Sequence, residues 1–186
     1  MADISGRKIA ILATHGFEQS ELEHPQKALE DAGATVHVIA PEGGEIRGWD
    51  GGDWGQIVKV DHNLDAVKSA DYDALVLPGG QMNPDILRAN PDAVAFVRAF
   101  WDAKKPIGAI CHAPWLLIEA DIAKGRDMTS YHSIRKDVEN AGANWHDKEV
   151  VTDLGLVTSR NPDDLPAFSA KLIEEIAEGK HTARDA

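Results

Sequence analysis

The 186-residue sequence contains a single cysteine, Cys111, so it can build no intramolecular disulfide framework and no multi-cysteine zinc or iron–sulfur site. Basic residues are scarce: Lys+Arg number 19 against 31 Asp+Glu, giving a formal net charge of −12. A phosphate backbone recruits Lys/Arg patches, so nucleic acid is disfavoured as the main partner. Long apolar runs are absent near the N-terminus. The run Ile9 to Ala13 is too short for the apolar segment of a signal peptide or for a membrane span, so a cytoplasmic setting is expected. There is no G-x-G-x-x-G after the first strand-like run and no G-x-x-x-x-G-K-[ST], which disfavours dinucleotide and P-loop binding. The eight histidines include no H-x-x-x-H pair, so no metal site is expected. Internal repeats, low-complexity tracts and dividing linkers are also missing.

What is present is ordinary for a globular chain: 43% hydrophobic and 27% charged residues, enough for one domain with its own core. The whole chain, residues 1–186, reads as one domain, with a core over about 8–178 and a frayed tail over 179–186. Apolar runs alternate with amphipathic ones. Lys8–Thr14, Thr35–Ala40, Asp73–Leu77 and Pro106–Ile110 read as buried strands. Glu18–Ala32, Pro91–Ala103, His112–Ala120, Ser133–Ala141 and Asp163–Glu178 read as helices. Glycine-rich Pro41–Gly55 leads to a short strand at Ile57–Asp61 and suggests a hairpin-like excursion, and Glu149–Asp153 pairs with Leu156–Ser159. Alternation of this kind predicts an α/β, doubly wound fold with a mostly parallel sheet covered on both faces. Ligands then sit beyond the carboxyl ends of the strands, which singles out Thr14–Glu21, Pro78–Asp85 and the surroundings of Cys111.

In Ala109-Ile110-Cys111-His112-Ala113-Pro114 a strand runs straight into the cysteine and a helix is expected directly after it. That is the layout of a nucleophile elbow with Cys in place of Ser. Backbone N–H groups at such a turn favour a thiolate and could hold a developing oxyanion. The competing reading is a buried, inert cysteine, because free Cys is among the most buried residue types. His112 is useful to Cys111 only if the elbow turns the two side chains together, since neighbours on a helix diverge; otherwise it caps or packs. Glu18 and Glu21, three apart, either serve the site or simply offset a helix dipole. Pro78-Gly79-Gly80 either lets backbone approach a ligand or makes a plain turn, and Asp85 either acts or caps a helix. Trp49 and Trp54 either rim a pocket or fold a hairpin tip onto the core.

Taken together, Phe17-Glu18-Gln19-Ser20-Glu21-Leu22, Asp73–Gly80, Ala109–Pro114, Ser130-Tyr131, Asn140–Ala143, Glu149–Asp153 and Ser159–Phe168 resemble the PfpI-type intracellular cysteine protease and deglycase family. That family lies within the class I glutamine amidotransferase-like superfamily, and the resemblance is nearest its bacterial stress-protein branch. It covers about Lys8 to Phe168. It implies a flavodoxin-like sandwich with Cys111 as nucleophile and His112 as its base or ion-pair partner. Glu21 matches the carboxyl that hydrogen-bonds the sulfur, and Glu18 a second acid near the pocket or subunit contact. Asp85 matches an acid that orients the histidine of a neighbouring subunit. Gly80 and the amides near Cys111, including Ala113, match the oxyanion site, and Tyr131 a pocket tyrosine. Departures from the pattern are Ala113 for Gly, Trp115 for a smaller residue that would narrow the pocket, Gln19 for Asp, and His132 for Pro.

The expected activity is that of a stress-response, cysteine-dependent hydrolase acting on peptides, glycated amines or small 2-oxoaldehydes. No cofactor is expected, and the resemblance implies a homodimer or larger homo-oligomer. A peptidase would depend most on an acid at His112; a glyoxal-type reaction would depend most on Glu21 as proton shuttle. A reactive thiolate beside Glu21 requires that carboxyl to be protonated. The alternative is a peroxide sensor or redox-controlled chaperone acting through Cys111 oxidation.

Overall fold

A computed structural model describes residues 2–185. Seven strands form the central sheet: β1 (Lys8–Leu12), β3 (Thr35–Ala40), β6 (His62–Asn63), β7 (Ala74–Leu77), β8 (Ile107–Ile110), β11 (Val151–Asp153) and β12 (Leu156–Ser159). Their order is β11-β12-β8-β7-β1-β3-β6, and every pairing is parallel except β11 with β12.

The inner strands are short apolar runs because both of their faces are covered. Their residues alternate between two cores. Ala10, Leu12, Leu75 and Leu77 pack with Val97, Phe100, Leu116 and Leu117 on one face. Ile9, Ile11, Val38 and Val76 pack with Leu22, Leu29, Phe168 and Leu172 on the other. The first face carries α2 (Met82–Arg88), α3 (Pro91–Asp102), α4 (Pro114–Glu119) and α5 (Arg135–Asn140); the second carries α1 (Gln19–Asp31) and α6 (Leu165–Glu178). This is the doubly wound α/β architecture that the alternation predicts, in the flavodoxin-like form that the family resemblance implies. No described helix is long and apolar enough to cross a membrane.

The remaining strands are peripheral. β2 (Phe17–Glu18) pairs with β4 (Glu45–Asp50), which forms an antiparallel hairpin with β5 (Asp53–Lys59). β9 (Asp127–Met128) pairs with β10 (Asn144–Trp145). The hairpin's second strand starts four residues before the expected Ile57, because its sides are mostly exposed and show no apolar alternation. At its tip Trp49 and Trp54 meet edge to face at 5.6 Å, and Trp54 stays exposed, so the tip does not fold onto the core. Four expected helices begin later than the sequence suggests, α5 among them, which starts at Arg135 after a 3-10 turn over His132–Ile134. α1 starts after Glu18, α4 starts at Pro114 after a turn, and a 3-10 turn precedes α6. His181 packs against Gly155 and its amide donates to Lys104 O, and 182–185 form a 3-10 turn; Ala186 lies outside the described residues.

β1 and β7 are adjacent, and the chain leaves them in opposite directions across the sheet. Their carboxyl ends therefore frame the crevice where such folds bind ligands.

Candidate active site

Cys111 stands at the end of β8 with φ of +64°, a left-handed backbone that side chains other than Gly seldom adopt. The conformation is held on both sides: Cys111 N–H donates to Ser159 O, and Cys111 O accepts from Tyr131 N–H. This strained turn ends the strand and throws the next residue back, so that His112 Nδ1 lies 3.1 Å from Cys111 Sγ. The thiol is 6% exposed and remains free.

Two amides, those of Gly80 and His112, point at the sulfur and favour its charged form. The Ala113 amide, expected beside them, is committed instead to Ile110 O, because the chain closes a tight turn there before α4 begins. Gly79 and Gly80 are glycines for steric reasons. A Cβ at Gly79 would stand 2.5 Å from Glu21 Oε2 and 2.7 Å from Cys111 Cβ. One at Gly80 would strike the Glu18 amide and Gly16 carbonyl at 2.6 Å, and the residue has φ of +78°.

Glu21, on the first turn of α1, is fully buried against the sulfur. Its Oε2 accepts the Gly79 N–H at 2.8 Å, while Oε1 has no hydrogen-bond partner. Burial, aided by the nearby Glu18 charge, pushes its pKa up to about 8. At neutral pH the carboxyl is therefore an acid that can hold a proton beside the sulfur. Burial also pushes the Cys111 thiol up, and a charged Glu21 would push it further. Protonation of Glu21 removes that second cause, so the two groups titrate as one unit. Glu18, half-buried next to Asp50, is itself raised, first by burial.

His112 is held by rings. Tyr131 stacks on it at 4.9 Å and Trp115 stands edge-on at 5.1 Å. Its Nε2 faces the Ser133 hydroxyl at 3.3 Å. Burial, with His132 nearby, lowers its pKa, so the ring rests neutral. Trp115 is fixed from outside by Arg88 over its face at 4.4 Å and by its indole N–H donating to Asp137 at 2.9 Å. Asp85 is separate from this cluster within the chain. Its side chain is 57% exposed, and it binds Arg88 at 2.6 Å.

The structure thus gathers Cys111, His112, Glu21, Glu18, Gly80, Tyr131 and Trp115 in one cluster around the sulfur, and leaves Asp85, paired with Arg88, outside it. Ser133 and Asn83 join the site without having been expected there. Gly79 lay within a run marked for close backbone approach, whereas Ser133 and Asn83 resemble ordinary capping residues.

A doubly wound α/β sandwich with cysteine at a strained strand-to-helix turn is a recognised class of nucleophile-bearing fold. Residues 7–175 match the DJ-1/PfpI family, and the chain belongs to that family. It is 50% identical over 166 residues to general stress protein 18 of Bacillus subtilis, covering 88% of this chain and 94% of that one. It is 45% identical over 169 residues to protein/nucleic acid deglycase 2 of Escherichia coli, covering 90% and 96%. Among solved structures, Drosophila melanogaster DJ-1beta superposes with a TM-score of 0.83 at 30% identity, covering 95% of this chain and 91% of that chain.

Proposed function

We propose that this protein is a stress-response, cysteine-dependent hydrolase of the deglycase or glyoxalase type, with Cys111 attacking a small carbonyl group. The observation that carries this reading is the fully buried Glu21 carboxyl set beside Cys111, held by the Gly79 N–H at 2.8 Å and pushed by burial toward its protonated form. An acid there suits proton shuttling at a carbonyl adduct. A peptidase would pair this histidine with a carboxylate, but His112 Nδ1 lies against Cys111 Sγ and its Nε2 faces the Ser133 hydroxyl. The kinship to a named deglycase supports the same side.

In this reading His112 Nδ1 takes the thiol proton, and Sγ bonds to the carbonyl carbon while the carbonyl π pair becomes an oxyanion. With a 2-oxoaldehyde, the oxyanion takes up a proton to give a hemithioacetal. Glu21 then moves the proton from the adduct's C–H to the neighbouring carbonyl carbon, turning the adduct into a thioester. Water adds to that thioester as the C–S bond breaks, releasing a 2-hydroxy acid and returning a proton to Sγ. A second copy of the chain presenting Asp85 toward His112 would complete the site, which makes a homo-oligomer part of the proposal. The deciding experiment sets methylglyoxal, a glycated amine and a fluorogenic peptide side by side, with wild type and Cys111→Ala. Turnover of the first two, lost in the variant, is expected. Peptide cleavage alone, or full turnover by Cys111→Ala, would overturn the reading.

A further inference from the structure

Asn83, in α2, is fully buried and makes three hydrogen bonds. Its Oδ1 accepts the Thr14 N–H at 2.8 Å, and its Nδ2 donates to Pro78 O at 2.9 Å and to Gly79 O at 3.2 Å. It therefore ties the loop after β1 to the loop after β7.

The two carbonyls it grips are informative. Pro78 O belongs to the same peptide unit as Gly79 N–H, and Gly79 O to the same unit as Gly80 N–H. A peptide is planar and trans, so its C=O and N–H point in opposite directions. Asn83 holds the backs of two peptides: the first donates its N–H to Glu21 Oε2 at 2.8 Å, and the second carries the Gly80 N–H, which favours the charged forms of Cys111 and Glu21. Gly79 O also takes the Glu18 N–H at 3.3 Å, a weaker second tether. Both units contain glycine, whose backbone rotates most freely. Without a grip behind them, nothing in the side chains of residues 79 and 80 would keep these amides aimed.

We propose that Asn83 is a positioning residue that aims the Gly79 and Gly80 amides at Glu21 and Cys111 and thereby sets the reactivity of the thiol. The inference rests on Cys111 being the reactive group, but its test does not require turnover.

The test is the rate at which iodoacetamide alkylates Cys111 at fixed neutral pH in the full-length protein, with folding checked by near-UV circular dichroism. The variants are Asn83→Ala and Asn83→Asp. The second keeps volume and the acceptor for Thr14 N–H but puts an oxygen where the donor was. Loss of an amide aimed at a charged sulfur is expected to slow alkylation about tenfold in both, and to lower kcat by a similar factor with KM nearly unchanged. Folded variants that react at the wild-type rate, or faster, would overturn the inference. If neither variant folds, wild type decides. Its Gly80 amide proton should shift when Cys111 ionises, and its Asn83 side-chain amide protons should exchange slowly; absence of either overturns it. If Cys111→Ala retained turnover, the functional reading would fail while the alkylation result stood on its own.

Discussion

His112 follows Cys111 directly in the chain, yet its Nδ1 stands 3.1 Å from the cysteine sulfur. Neighbouring side chains on a helix diverge by about 100°, so this contact exists only because Cys111 takes a left-handed backbone. Strain at the nucleophile is the means by which two consecutive residues become a reacting pair.

That strain should be measurable. Cys111→Gly and Cys111→Ala both lack the thiol, and both should be inactive. Only alanine retains a Cβ in the left-handed region, which costs about 1–2 kcal/mol. The larger unfolded-state entropy of glycine offsets about 0.4–1 kcal/mol of this, so in urea unfolding Cys111→Gly should be the more stable of the two by about 1 kcal/mol. A glycine variant less stable than the alanine variant would show that the turn holds no strain.

Glu21 makes a prediction with a definite sign. Its folded pKa is raised to about 8 from an ordinary value near 4.5. Between these values the folded state holds a proton that the unfolded state has released, so this group's stability contribution is full below about pH 4.5 and is lost as pH rises through about 8. Glu21→Gln cannot titrate. Its stability, measured by denaturant unfolding from pH 5 to 8, should fall less steeply than that of wild type. The same variant keeps a donor beside the sulfur, so it should hold a lower thiol pKa than Glu21→Leu. Identical thiol titrations for the two would sink the idea that the carboxyl donates to sulfur.

Trp115 predicts selectivity. Its ring stands against His112, with Arg88 over its face and Asp137 holding its indole N–H. A side chain pinned from three directions is a wall. Trp115→Ala should lower KM for bulky glycated amines relative to methylglyoxal, by several-fold in the ratio of kcat/KM values, since modest changes in pocket size shift discrimination by about 10-fold or more. An unchanged ratio would remove Trp115 from the substrate's path.

The sequence carries much of this arrangement, unevenly. The elbow is legible because PIGAI is an unbroken apolar run with cysteine at its end, and only a strand stopping at the sheet edge fits it. Glu21 and Gly80 are legible through their motifs. The short strands β2, β6, β9 and β10 are not, since two residues show no periodicity. α2 is missed because Met82-Asn83-Pro84-Asp85 carries turn and cap residues in its first turn, although Pro suits that position. Asn83 hides for a related reason. An asparagine before proline looks like a cap, and nothing local reveals that its partners lie on Thr14, Pro78 and Gly79. Long-range polar contacts leave no periodic trace in a sequence.

Asp85 supplies the test of assembly. Within the chain it pairs with Arg88 and is far more exposed than His112, which is why the proposal has it act on the site of an adjacent copy. Asp85→Ala and Cys111→Ala should each be impaired alone. If Asp85 acts across a two-fold interface, mixing the variants one to one and allowing subunits to exchange makes half the dimers mixed, each with one intact site. Activity should then recover to about a quarter of wild type. Recovery should disappear when the mixture is diluted until subunits separate, while iodoacetamide alkylation of Cys111 on the Asp85→Ala chains persists. Failure to complement, with Asp85→Ala fully active alone, would leave Ser133 as the partner of His112 and confine the reaction to one chain.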